Sequence, residues 1–262
     1  MATALIGWSG LVGGSLLSQT SFDHRFRSTD IHELPRREYE LVVCAGAPAE
    51  KWKANQDPPG DLARLEPLFE ALRHLKTKKL VLVSTIDVFA KPVDVDEDSP
   101  TSGDTASAYG RHRRLLEELA QRHCDCMILR LPGLFGPGLK KNVIFDLLHH
   151  NQVEKIHPGG VFQYYPLNRL WADIQTGLQA GLNLVHAATE PVATARLARE
   201  IFDITLAPAE SAAPGRYDFH SRYAAHFGGA AGSPYWLASG QVLGEMACFV
   251  AGERMKKVSG AL

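Results

Sequence analysis

Short apolar runs that end in glycine or a turn, each followed by a stretch with helical spacing, constrain this chain more than any other feature. "TALIG" (3–7) leads into "WSGLVGGSLLSQ", a turn and then a helix. "HRFRSTDI" (24–31) reads as a second strand, and "ELVVCAGA" (40–47) is an apolar run bounded by glycine, as a strand covered on both faces should be. "DLARLEPLFEALRHLK" (61–76) spaces Leu62, Leu65, Leu68, Phe69, Leu72 and Leu75 as a helix does, with Pro67 marking a kink or a late start. The strand "KLVLVST" (79–85), the helix "ASAYGRHRRLLEELAQR" (106–122) and the strand "CMILRLP" (126–132) continue the alternation. Such alternation implies right-handed crossovers and a parallel sheet with helices on both faces. The expected fold class is therefore α/β, doubly wound.

Beyond residue 133 the pattern loosens. Helices are expected at 142–150, 171–186, 193–203 and 239–252, with "GGVFQYYPL" (159–167) as a strand between loops. Pro- and Gly-rich stretches at 132–138, 207–215 and 228–234 punctuate this part without reading as linkers. The expected division is a nucleotide-binding domain over 1–135 and a small substrate lobe over 136–262, some of whose segments return to the first.

The chain has 262 residues, and its 28 Lys and Arg against 29 Asp and Glu leave a net charge of −1. A protein that relies on phosphate contacts to nucleic acid needs a basic excess or stripe, and neither is visible. Cys44, Cys124, Cys126 and Cys248 show no CxxC spacing, which suits a reduced thiol set. No apolar run reaches membrane-spanning length and no leader precedes "TALIG", so a soluble cytoplasmic protein is expected.

Gly7, Gly10 and Gly13 form G-x-x-G-x-x-G directly between the first strand and helix. Glycine permits a positive φ and lets backbone approach a pyrophosphate seated on the helix N-terminus. At the first strand of an alternating chain this points to a Rossmann-like dinucleotide site, with the backbone of Gly7, Gly10, Leu11, Val12 and Gly13 around the phosphates. Glycines serving only a tight strand–helix turn are the plainer alternative. An acid about 20 residues further on should meet the adenosine ribose. Asp30 fits that role, and Ser28 is an equal candidate for the strand end. Arg27, Arg36 and Arg37 either meet the 2′-phosphate of NADP or lie in a solvated loop. NAD and NADP both remain open.

With the glycine turn, "LVSTIDVF" (82–89), "YGRHR" (109–113) and "LRLPGLFGPG" (129–138) in this order, the chain resembles the short-chain dehydrogenase/reductase superfamily. More narrowly it resembles the extended branch, the NAD-dependent epimerase/dehydratase family that works on nucleotide sugars. "NRLWADI" (168–174) is similar to a later segment of that family, and the resemblance covers roughly residues 3–186. It implies a catalytic set of a Ser or Thr at a strand end, a tyrosine, and a lysine four residues on. These fall on Thr85, with Ser84 as the alternative, on Tyr109 and on Arg113. It further implies cofactor contacts from Ala45, Gly46, Ser84, Leu131, Pro132 and Leu134, and substrate contacts from Asp87, Lys141 and Asn142. Two departures stand out. Arginine replaces the lysine, and only about ten residues separate "STDI" from "ELVVCAGA", too few for the helix, strand and helix the family places there. The outer edge strand with its adenine clamp is expected to be missing.

Hydride transfer between a nicotinamide and a carbonyl needs a group that gives or takes the oxygen's proton. Tyrosine serves when a nearby cation stabilises its phenolate. Arginine keeps the charge and adds donors, but its planar fork needs a differently shaped space and it relays no proton. Thr85 is expected to orient the substrate oxygen. Asn142, after "FGPG", either meets substrate phosphates or caps a helix. The acidic run "DVDEDS" (94–99) is expected to be a solvated loop rather than a metal site, and His149, His150, His220 and His226 lack a supporting carboxylate constellation. The function expected is an NAD(P)-dependent oxidoreductase or epimerase acting on a sugar or nucleotide sugar. A catalytically silent NAD(P)-binding regulator of the same fold is the alternative. No nucleic-acid or membrane partner is expected, and a homodimer stays open.

Overall fold

The computed structural model describes residues 2–101, 107–208 and 213–260. Residue 106, expected to open a helix, and the middle of the 207–215 stretch lie outside the described residues. In chain order the elements are β1 (Ala2–Ile6), α1 (Leu11–Gln19), β2 (His24–Phe26), a 3-10 turn (Ile31–Arg36), β3 (Glu38–Cys44), α2 (Lys51–Gln56), α3 (Pro58–Arg73), β4 (Lys76–Thr85), a second 3-10 turn (Ile86–Val88), α4 (Ala108–His123) and β5 (Cys126–Leu131). There follow β6 (Gly133–Phe135), α5 (Val143–His149), β7 (Val161–Phe162), β8 (Tyr164–Pro166), α6 (Leu170–Gln179), β9 (Leu184–His186), β10 (Val192–Ala193), α7 (Thr194–Phe202) and α8 (Ser239–Val258). They sort into two compact units. The first comprises Met1–Lys91, Glu97–Leu131 and Arg169–His186, and the second Pro92–Asp96, Pro132–Asn168 and Ala187–Leu262.

The first unit is built on a six-stranded sheet in the order β2-β1-β3-β4-β5-β9, parallel throughout. Its strands alternate their side chains between the faces. Ala4, Ile6, Val42, Cys44, Leu80, Leu82 and Ile128 form one core with Leu65, Leu68 and Leu72 of α3 and Leu116 and Ala120 of α4. Leu5, Val43, Val81 and Leu129, one residue out of phase, are buried as well, as strands covered on both faces require. Helices α1 and α6 pack on each other and take no part in the core shared with α3 and α4. This is the doubly wound α/β fold.

The shortened edge is also present. β2 is the edge strand, and the connection 27–37 passes from it to β3, on the far side of β1, with only a 3-10 turn. The strand expected at 24–31 stops at Phe26, because Asp30 turns back and its Oδ1 accepts the Arg27 N–H at 2.6 Å. The helix expected over 171–186 ends at Gln179. Gly181 takes a φ of +66°, which breaks the helix and frees Leu184–His186 to become the sixth strand. The strand expected at 159–167 is divided: β7 pairs antiparallel with β10, whereas β8 pairs parallel with β6. Both pairs belong to the second unit. α8 runs to Val258, beyond the expected residue 252. None of the described helices is long and apolar enough to cross a membrane.

Charge enters the first unit's core where the sequence puts Arg130 in an otherwise apolar strand. Arg130 Nε and Nη2 donate to Glu117 of α4 at 3.1 and 2.7 Å, and Ser84 Oγ donates to the same carboxylate at 2.5 Å. Arg130 Nη1 lies 3.2 Å from His186 Nε2, and the His186 backbone N–H donates to Glu97 at 2.8 Å. Glu97 is thus a buried acceptor, so the acidic run 94–99 is not wholly the solvated loop expected. Removing one member of a buried pair strands the other's charge. Glu117→Gln should lower unfolding free energy at neutral pH by about 3–5 kcal/mol in denaturant titrations. The double replacement Glu117→Met with Arg130→Met should cost clearly less than the single change.

Candidate active site

The carboxyl ends of the parallel strands gather most of the residues singled out in the sequence. Gly7 follows β1, Ala45 and Gly46 follow β3, Thr85 ends β4 and Leu131 ends β5. In open α/β sheets this edge is where ligands bind. Gly7 has a φ of +82°, and a Cβ there would come within 2.4 Å of the Ala45 carbonyl oxygen. A Cβ on Gly13 would come within 2.2 Å of the Gly7 carbonyl oxygen. Both glycines are therefore required by the turn itself. Gly10 is different: its Cβ would meet only the Gly7 oxygen, at an ordinary 3.4 Å. Helix α1 starts at this residue without a side-chain cap and without an acid in its first turn. The open space at Gly10 and the uncapped amides suit a phosphate, so the residues present fit a dinucleotide.

Past β2, Asp30 spends one carboxylate oxygen on its own turn, and the Arg27 guanidinium sits 5.7 Å from the centre of the Trp8 ring in the glycine turn. Ser28 lies in the same short turn, outside the strand. Of the other arginines, Arg37 reaches His24 at 3.3 Å and Arg36 lies 3.9 Å from Glu33.

Tyr109 and Arg113 are brought together. Ser107 caps α4 by accepting the Gly110 N–H at 3.2 Å, and Asn55 of α2 accepts the Tyr109 N–H at 3.1 Å. A Cβ on Gly110 would stand 2.0 Å from the Asp87 carbonyl oxygen, so only glycine lets the first turn of α4 approach the turn that follows β4. Thr85 opens that turn, its Oγ1 accepting the Asp87 N–H at 3.1 Å. Tyr109 is 8% exposed and Arg113 2%, with the guanidinium carbon 4.4 Å from the phenol ring centre. Burial pushes the Tyr109 phenol above its ordinary value; Arg113 and Lys51 pull against this, and Asp87 adds to it. Lys51 of α2 is itself paired with Asp87 at 2.9 Å.

Arg113 is held by a residue that spacing alone did not single out. Asp61 of α3, 1% exposed, accepts from Arg113 Nη1 at 3.1 Å and Nη2 at 3.4 Å. His112 Nδ1 lies 2.8 Å from the same carboxylate, and Arg113 Nη2 also donates to the Pro48 carbonyl. Burial works against the Asp61 carboxylate, but the bonds and charges of Arg113 and His112 outweigh it and hold its value low. The sequence did carry a signal: Asp61, Leu65, Leu68 and Leu72 fall on one helical stripe, so a carboxylate stands among core positions.

Other assignments land elsewhere. Ser84 gives its hydroxyl to Glu117. Pro132, Leu134, Lys141 and Asn142 belong to the second unit. There Asn142 caps α5: its Oδ1 accepts from Ile144 and Phe145 at 3.0 and 3.2 Å, and its Nδ2 donates to the Leu134 carbonyl at 2.8 Å. Of the two roles open to Asn142, capping takes its amide oxygen, and the Leu134 carbonyl takes its nitrogen.

The family model for the NAD dependent epimerase/dehydratase family matches residues 23–163, more than half of the chain. No curated protein sequence matches it. Among solved structures, dTDP-4-dehydrorhamnose reductase from Bacillus anthracis, in complex with NADP, is similar at a TM-score of 0.73 and 15% identity, covering 96% of this chain and 99% of that one. UDP-glucose 4-epimerase from Thermotoga maritima, with UDP-glucose, gives 0.71 and 15%, covering 98% and 99%. WbmG from Bordetella bronchiseptica, with NAD and UDP, gives 0.64 and 17%, covering 84% and 83%. At such identities the likeness is one of fold.

The glycines make a separable test. Gly13→Ala should lower unfolding free energy by about 1–3 kcal/mol through overpacking, while Gly10→Ala should cost less than about 1 kcal/mol as a changed helix cap. Thermal denaturation of the two variants measures the difference.

Proposed function

The chain belongs to the NAD dependent epimerase/dehydratase family, and we propose that it carries hydride between a nicotinamide dinucleotide and a sugar, in a nucleotide-linked form, with Tyr109 moving the proton. The observation that carries this reading is the buried placement of Tyr109 and Arg113 side by side on α4, against the turn that begins at Thr85. The similar structures named above, a dTDP-4-dehydrorhamnose reductase with NADP, a UDP-glucose 4-epimerase with UDP-glucose and WbmG with NAD and UDP, support the substrate class and the cofactor.

Gly7, Gly10 and Gly13, with the first amides of α1, would hold the pyrophosphate. Arg113 keeps one buried donor, Nε, without a hydrogen-bond partner among the described residues, which suits a ribose hydroxyl. A nicotinamide held there would supply or accept the hydride at the sugar carbon. Thr85 orients the sugar oxygen. Tyr109 Oη gives its proton to that oxygen as the carbon is reduced, and takes it back in the reverse direction. A phenol held above its ordinary value favours the first of these roles, proton donation.

A second reading is favoured by one observation. The fork of Arg113 is committed to Asp61 and Pro48, which would suit a binder of dinucleotide without turnover. Nicotinamide absorbance with a panel of keto- and hydroxy-nucleotide sugars separates the two. Turnover is expected, and Tyr109→Phe should reduce it by about 10²–10⁴-fold with dinucleotide affinity nearly unchanged. Gly10→Val should abolish dinucleotide binding in a folded protein. Dinucleotide binding with no turnover across the panel would establish the silent binder. Equal turnover in Tyr109→Phe would assign the proton to another group.

A further inference from the structure

We propose that Asp61 is a positioning residue for the Tyr109–Arg113 pair: its carboxylate fixes the guanidinium and offsets its charge, so that Tyr109 stays a protonated donor. The inference rests on the reading of Tyr109 given above.

The groups around Tyr109 come from several elements. On its own helix is Arg113; α2 contributes Lys51; the turn after β4 contributes Asp87. Lys51 and Asp87 are joined at 2.9 Å, so their charges offset one another. Arg113 is joined to Asp61 by both terminal nitrogens, at 3.1 and 3.4 Å. Asp61 also faces His112 at 2.8 Å and, less closely, Arg64 of its own helix at 4.0 Å. Both cations beside the phenol are therefore paired. A lysine in place of Arg113 would be a compact charge on a flexible stem, whereas arginine presents a rigid fork that matches a carboxylate on two bonds. The exchange of lysine for arginine and the burial of Asp61 in the stripe of α3 thus form one arrangement. The guanidinium is locked 4.4 Å from the ring centre, where it draws the phenol down against burial, and the Asp61 carboxylate bonded to it opposes part of that pull. A phenol in a dry, charge-balanced surround keeps its proton until an acceptor arrives.

Ultraviolet titration of the Tyr109 phenolate tests this without substrate. Each protein is measured against its own Tyr109→Phe counterpart, so that the other tyrosines cancel. Asp61→Asn unmasks Arg113 and should lower the Tyr109 midpoint by about one pH unit or more. Arg113→Met removes the cation beside the ring and should raise it. Asp61→Asn combined with Arg113→Met should titrate with Arg113→Met alone, because the carboxylate acts through the guanidinium. Opposite displacements of the two single variants would not follow from a purely structural Asp61. A folded Asp61→Asn protein with an unchanged midpoint overturns the proposal. Should Asp61→Asn not fold, Asp61→Ser, which also removes the charge, is titrated in its place, and an unchanged midpoint overturns the proposal as well. Absence of turnover on the sugar panel would reject the hydride-transfer reading and leave this titration unaffected.

Discussion

Helix α4 carries Tyr109, Arg113 and Glu117 at successive steps of four residues, and two buried carboxylate–guanidinium pairs fix it in place. Asp61 ties Arg113 to α3, and Glu117 ties the helix to Arg130 of β5 and to Ser84 of β4. Apolar packing at Leu116 and Ala120 presses the same helix on the sheet, but such packing is non-directional and tolerates a small slide. Paired charges with little water around them do not, since any slide leaves both partners short of hydrogen bonds. The first turn of α4, with Gly110 against the Asp87 carbonyl, is consequently delivered to one place. Tyr109 inherits its position from Asp61, Glu117 and Gly110.

The glycine turn is organised by a different force. Gly7 and Gly13 are fixed by close backbone approach, which leaves Gly10 as the position whose lack of a side chain serves nothing within the turn. Sterics shape one half of the edge and buried electrostatics the other. The two halves meet along the carboxyl ends of strands held in register, Ile6 beside Cys44, Cys44 beside Leu82 and Leu82 beside Ile128.

Much of this was legible before any coordinates. Apolar runs gave the central strands and the glycine spacing gave the first turn, because both are local signals with one dominant cause. The lost edge strand could be inferred by setting the short connection against the family's pattern, since it holds no helix–strand–helix crossover. What escaped was what depends on partners distant in sequence. Leu184–His186 looks like the tail of a helix until β5 is there to pair with it. Tyr164 and Val161 look like one strand until β6 and β10 claim them separately. Asp61 stands on the core stripe of its helix, but neither its partner nor that of Glu117 shows until Arg113 and Arg130 are seen opposite them. Asn142 read equally as a cap or a ligand, and only the amides of Ile144 and Phe145 show where its oxygen goes.

The sheet narrows toward both of its sides. From β2 to β9 in spatial order its strands span 3, 5, 7, 10, 6 and 3 residues. Long strands with exposed borders offer a row of unpaired amides and carbonyls on which another chain can polymerise. Here the longest strands are enclosed by neighbours, and each border presents only three residues of ladder. Trimming the outer crossover could have laid bare a long, sticky strand. Because β2 is so brief, the border left by the shortened crossover offers another chain only three residues to pair with.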